Sequence, residues 1–173
     1  MYNMGCLMNE SSRKNYPGII KVIFICAAIF FLRANALAAK ELTAQQKEAR
    51  AYRAKGLEYQ NAADFPAAAA FYQKAVALDP FYAVAYNDLG IVFEATGQVQ
   101  QAKQLYSRAI EIDPGLLSAY ANLAIICEEE RDLEKAAYYW QKRARLGDPN
   151  DIWTIKAKRR LADIQLVLSD NPA

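Results

Sequence analysis

The sequence contains no histidine. That absence removes the base of Ser-His-Asp and Cys-His catalysis and the commonest metal ligand. Cysteine is almost as scarce: Cys6, Cys26 and Cys127 are the whole complement of 173 residues, without the paired spacing of a zinc or redox motif. Seven glycines and six prolines are too few and too scattered to build a phosphate-cradling loop or a nucleophile elbow. The longest wholly apolar run, residues 22–32, has 11 residues, against the roughly 20 a membrane-spanning helix needs. Only Glu128-Glu129-Glu130 with Asp132 resembles a carboxylate cluster. Consecutive helical residues point in different directions, so that run reads as a solvated helix end, and neither a catalytic site nor a metal or cofactor site is expected.

Net charge is small, 21 basic residues against 19 acidic. Arg13, Lys14 and Lys21 precede the apolar run, Arg33 follows it, and residues 34–39 read Ala-Asn-Ala-Leu-Ala-Ala. That order is the one of a secretory signal peptide over 1–38, cleaved after Ala38 or Ala36; the alternative is an uncleaved anchor. Export across the inner membrane to the periplasm or cell envelope is the expected location, or the inner membrane where the segment is retained. The leader takes four basic residues and one acid, Glu10, leaving 17 basic against 18 acidic. The basicity of the chain is thus mostly targeting signal and gives no footing for nucleic acid. Of the cysteines only Cys127 remains, so no intramolecular disulfide is expected, and its place on a core face reads as a small buried hydrophobe.

What the remaining residues do contain is a period. Three blocks of 34 residues, 49–82, 83–116 and 117–150, set Tyr52, Tyr86 and Tyr120 in the fourth place; Gly56, Gly90 and Ala124 in the eighth; Ala68, Ala102 and Ala136 in the twentieth; and Tyr72, Tyr106 and Trp140 in the twenty-fourth. A period of that length means stacked copies of one unit. Within each block apolar places recur at helical spacing, broken at points such as Thr96-Gly97, so each is predicted to be two antiparallel helices. Asp79-Pro80 and Asp113-Pro114 close the first two blocks, because proline cannot continue a helix. Glycine inside a helix costs about 1 kcal/mol against alanine, so Gly56 and Gly90 imply close approach of the paired helix. Residues 39–48 form a lead-in. Thr43 with Gln46 reads as a capping box that starts the first helix near Ala44 and runs it to about Asn61. Beyond the third block, Asn150 or Asp151 can cap a final helix over 151–169, before a short tail at 170–173. Its stripe of Trp153, Ala157, Leu161, Ile164 and Leu168 is predicted to cover the last block and to leave a polar outer face.

The blocks resemble tetratricopeptide repeats. Tyr86-Asn87-Asp88-Leu89-Gly90, Phe93, Ala102, Tyr106, Ala109 and Asp113-Pro114 fill that family's pattern in order. The third block departs from it, with Arg143 where Ala75 and Ala109 stand and Pro149 one place later than Pro80 and Pro114. The resemblance implies an all-α right-handed solenoid of three helix-turn-helix repeats with a capping helix, acting as a protein-interaction scaffold.

In such an array the faces opposite the core places line a concave groove. By helical geometry these carry Arg50, Arg53, Leu57 and Asn61; then Asn87, Ile91 and Glu94; then Ile125 and Glu128, with Asn122 beside them. Leu57, Ile91 and Ile125 form an apolar row, with arginines toward one end and glutamates toward the other. Relatives that clamp a peptide carboxylate use a Lys/Asn/Lys/Arg set here, of which only Arg53 is matched, and the asparagine ladder of others is reduced to Asn122 beside Ala54 and Asp88. The expected partner is a segment of another envelope protein, with no nucleic acid and no small-molecule substrate. A different class of reading is a homo-oligomeric structural element that stacks through the solenoid ends or the exposed aromatic surface.

Overall fold

Two recurring devices cut the chain into helices in the computed structural model, which describes residues 42–170. The first is a left-handed residue in the fifteenth place of every block: Ala63 at φ 59°, Gly97 at 78° and Arg131 at 63°. Each donates its N–H to the carbonyl three residues back, and the next N–H reaches five back, as in Asp64 to Tyr59 (2.9 Å), Gln98 to Phe93 (2.8 Å) and Asp132 to Cys127 (2.9 Å). That pair of bonds satisfies carbonyls that a helix end leaves orphaned. The second device is the Asp-Pro step. Asp79, Asp113 and Asp148 each accept, on Oδ1, the N–H two residues on, at 3.2, 2.9 and 2.8 Å, while the proline that follows each removes a donor.

Seven helices result, with no strand among the described residues: α1 (Ala44–Asn61), α2 (Phe65–Leu78), α3 (Ala83–Ala95), α4 (Val99–Ile112), α5 (Leu117–Glu129), α6 (Leu133–Leu146) and α7 (Ile152–Asp170). Asp64 and Asp132 cap α2 and α6 by accepting from Ala67 N (3.1 Å) and Lys135 N (3.2 Å). α1 begins directly after Thr43 and ends at Asn61, the bounds predicted. The signal-peptide expectation for 1–38 lies outside the described residues. None of the described helices is long and apolar enough to cross a membrane.

Each helix packs on its neighbours in sequence, α1 on α2, α2 on α3 and so on to α7, which is the connectivity of an all-α solenoid. The core is built from small residues facing large rings. Ala68, Ala75, Ala102, Ala109 and Ala136 are fully buried beside Tyr72, Tyr106 and Trp140. Added Cβ atoms at Gly56 and Gly90 would lie 2.6 Å from the rings of Tyr72 and Tyr106, so the eighth-place glycine is the space into which the twenty-fourth-place ring fits. Phe93 and Tyr139 each pack against two adjoining clusters and make the core continuous. Cys127 is buried, and burial pushes its thiol above the ordinary value.

The last helix differs from its sequence reading. Its buried stripe is Thr154, Ala157 and Ile164 with half-buried Leu161 and Leu168, whereas Trp153 is half exposed. Polar chemistry decided this. Asp151 is the N-cap, accepting Thr154 N at 3.0 Å, and the Thr154 hydroxyl accepts from Arg143 Nη1 at 2.8 Å, so a hydroxyl is satisfied in the core where an indole was expected. The outer face is also not polar: Ile152, Ile155, Leu166 and Val167 are exposed on it.

Candidate functional site

The twelfth place of each repeat is tied to the twenty-fourth. Tyr72 Oη donates to Gln60 Oε1 (2.7 Å), Tyr106 Oη to Glu94 Oε2 (2.7 Å) and Trp140 Nε1 to Glu128 Oε1 (2.5 Å). One ring therefore packs on the eighth place and anchors its polar end on the next turn of the first helix. Burial is the chief cause that raises the phenol of Tyr72 to about 12, with the nearby Asp88 charge second. For Tyr106, burial and then the bond to Glu94 push it higher still. Glu94 and Glu128, expected to give the groove its acidic end, are spent on these ties.

A second set of bonds joins the first helices of successive repeats. Arg53 Nε lies 2.6 Å from Asp88 Oδ2, and Asn122 Nδ2 donates to Asn87 Oδ1 at 3.1 Å. Both link a fifth place to the sixth place of the next repeat. Asn87 and Asp88 are buried; burial raises the Asp88 carboxyl, and the Arg53 charge opposes that rise. Arg53 and Asn87, predicted for the groove, are structural joints between repeats. Arg50 is drawn aside, its guanidinium 4.9 Å from the centre of the Tyr82 ring. In the apolar row Leu57 is 40% exposed, whereas Ile91 and Ile125 are half-buried against the core clusters. Asn61 is exposed at the end of α1.

The acidic run is dispersed. Glu130 takes Lys103 Nζ (2.5 Å) and Gln100 (3.1 Å), Asp132 caps α6, and Glu128 binds Arg160 of α7 through both oxygens in addition to Trp140.

On the third repeat the face predicted to line a groove borders open space. A cleft of about 170 Å³ is lined by Ser118, Ala121 and Asn122 of α5, Arg143 of α6 and Trp153 of α7. A second, of about 280 Å³, is lined by Ile125, Glu128 and Glu129 further along the same helix face, with Trp140, Lys156 and Arg160. Asn122, Ile125 and Glu128 are residues predicted for the groove; Arg143, Trp153, Lys156 and Arg160 were not foreseen. The signal for Arg143 was visible as a break in an alanine place. Its guanidinium is buried, and Nη2 meets Asp151 Oδ2 at 2.5 Å. That contact holds the Asp151 carboxyl below the ordinary aspartate value. An added Cβ at Gly147 would lie 2.1 Å from Thr154 Oγ1 and 2.2 Å from Arg143 Nη1, so glycine there makes room for the arrangement.

Two family models, each described as a tetratricopeptide repeat, match the chain over residues 49–82 and 71–104. The first coincides with the first block. The second takes most of α2 with α3 and the start of α4, one repeat's second helix and the next repeat's first. No curated protein sequence matches significantly. Among solved structures, the first tetratricopeptide domain of Spaghetti (RPAP3), bound to the HSP90 peptide SRMEEVD, is similar at 19% identity and TM-score 0.64, over 72% of this chain and 95% of that one. The Arabidopsis OM64 domain is similar at 23% identity and TM-score 0.62, over 69% and 98%. The Sgt2 domain from Aspergillus fumigatus is similar at 17% identity and TM-score 0.63, over 77% and 92%. The matched tetratricopeptide pattern lies within residues 49–104, and the fold is the all-helical solenoid of these neighbours.

Proposed function

We propose that the chain is a non-catalytic interaction scaffold that seats a short segment of another protein against α5 and α7, and that its N-terminal segment exports it to the cell envelope. The observation that carries the binding reading is the pair of clefts along one face of α5. They lie at successive turns of that face, over core residues Ala121 and Trp140, and their far wall is α7 with Trp153 and Lys156. Apolar lining with a few placed polar groups suits a peptide better than a flat surface would. A structural neighbour holding a peptide supports the ligand class. Its ligand chemistry does not carry over, because Leu57, Asp88, Ser118 and Asn122 stand where a carboxylate clamp would need other side chains. The location rests on the charged, apolar and small-residue order of residues 13–39.

Capture from a cell-envelope extract, quantified by mass spectrometry, tests the binding reading. Ser118→Arg fills the first cleft from an exposed position and is expected to cut recovery of the partner at least tenfold while leaving the helical circular dichroism unchanged; Trp153→Ala should weaken capture less. Unchanged capture by both variants, with loss on Leu57→Asp, would move the site to the first repeat. N-terminal sequencing of the cellular protein should begin at Leu37 or Ala39, and an intact residue 1–40 segment would instead mean an anchor.

A further inference from the structure

Helix α7 carries one stripe that its own chain buries and a second, apolar except for Arg159, that it leaves exposed. Thr154, Ala157, Leu161, Ile164 and Leu168, at steps of three and four, face the last repeat. Offset by two residues, Ile152, Ile155, Arg159, Ala162 and Leu166 recur at the same steps, and all are exposed, Ile152 at 75% and Leu166 at 64%. Alternation of three and four is the seam of a helix pair, and the offset sets the two stripes on nearly opposite sides of α7. We propose that the second stripe pairs two copies of this chain, α7 against α7 and antiparallel, about a two-fold axis passing between Arg160 and Leu161.

The charges select this occupant and this register. With Ile155 opposite Leu166 of the second copy, Arg159 lies opposite the small Ala162, across which its stem can lie. Lys156 then lies on the same side of the seam as Asp163 of the second copy, about 3 Å away along the axis, and by symmetry Asp163 lies beside Lys156, so the seam is flanked twice by opposite charges. Within one copy neither group is buried: Lys156 lies 4.7 Å from the centre of the Trp153 ring, and Asp163 is 3.7 Å from Arg160. An in-register parallel pairing would set each Arg159 directly opposite its copy, whereas the antiparallel one offsets the two by about 4.5 Å along the axis. Stacking α7 on the front end is opposed too, because the aromatic patch there, Tyr52, Tyr59 and Phe71, is roofed by Lys55 and Lys74, which would meet Lys158 and Arg159. A self-complementary patch with closed two-fold symmetry is the commonest form of homo-oligomer.

Sedimentation velocity of the full chain over the micromolar range should show a concentration-dependent dimer. Ile155→Asp and Leu166→Asp, at exposed positions lining neither cleft, should return it to monomer with the helical signal retained. Lys156→Glu alone and Asp163→Lys alone should each weaken the dimer at least tenfold, and the two together should recover it. A monomer throughout, growth beyond the dimer, association indifferent to Ile155→Asp, or a charge swap that does not recover would each overturn the proposal. Because capture by the α5 clefts is read separately through Ser118→Arg, failure of one reading leaves the other standing.

Discussion

The first and third repeats share a pattern, yet the same place has a different fate in each. In the eleventh place Tyr59 is 39% exposed, Phe93 is half-buried and Cys127 is buried. Helix α1 buries only Ala49 and Gly56, whereas α5 buries Ala119, Tyr120, Ala121, Leu123, Ala124, Ile126 and Cys127. The difference is one of neighbours. α5 lies between α4 and α6, whereas among the described residues α1 packs extensively only against α2. In a linear array each unit is stabilised by its own interior and by its contacts with the next, so equal residues do not bring equal stability, and the front should open first.

Amide exchange puts this to the strongest test. α1 should exchange far faster than α5, by an opening that leaves α5 to α7 intact, and uniform protection would erase the distinction. Next in size, Trp140→Ala should lower unfolding free energy in urea by about 3–5 kcal/mol, the usual cost of truncating a buried large aromatic. Tyr72→Ala, in the same place of the first repeat, should cost the global transition less, because the front can fray alone. Gly90→Ala drives a methyl into the Tyr106 ring and should cost about 1–3 kcal/mol in melting experiments; Gly56→Ala, beside a looser helix, should cost less.

The joint at the far end is open to acid. Because Arg143 holds the Asp151 carboxyl below its ordinary value of 3.8, the stability it contributes is present above that value and is lost as pH falls through the lower folded-state pKa. Trp153 and Trp140 fluorescence should therefore report loosening of α7 below about pH 4, before α3 and α4 unfold, and Asp151→Asn should abolish that early phase. Smaller again are the turns. Ala63→Gly and Arg131→Gly relieve left-handed strain and should each raise stability by about 0.5–1 kcal/mol; a smaller gain at Ala63 would reflect the frayed front. Least of all, Glu111→Gln removes an exposed pair with Arg108 and should shift stability by less than about 0.5 kcal/mol in either direction.

Much of this was legible in the sequence. Periodic small and large residues mark helices because burial is periodic, and α1 could be bounded at Ala44 and Asn61 from local turn and cap chemistry. What escaped were pairings between side chains far apart in the chain. Glu94 and Glu128 look like free groove charges until Tyr106 and Trp140 are seen twelve residues on, donating into them. Arg143 looks like a flaw in an alanine place until Asp151 and Thr154 meet it. On α7 the stripe was misplaced by one residue at Trp153, because a threonine with a satisfied hydroxyl outcompeted an indole for the core.

The joints between first helices also work as addresses. The first repeat offers an arginine and the second answers with an aspartate; the second then offers an asparagine and the third answers in kind. Excising the middle block would bring Arg53 up against Asn122, a cation facing an amide with no carboxylate to meet it. The three units are therefore not interchangeable beads. Their order is written into two dissimilar couplings, and a shuffled or shortened array would have to rewrite them before its units would dock.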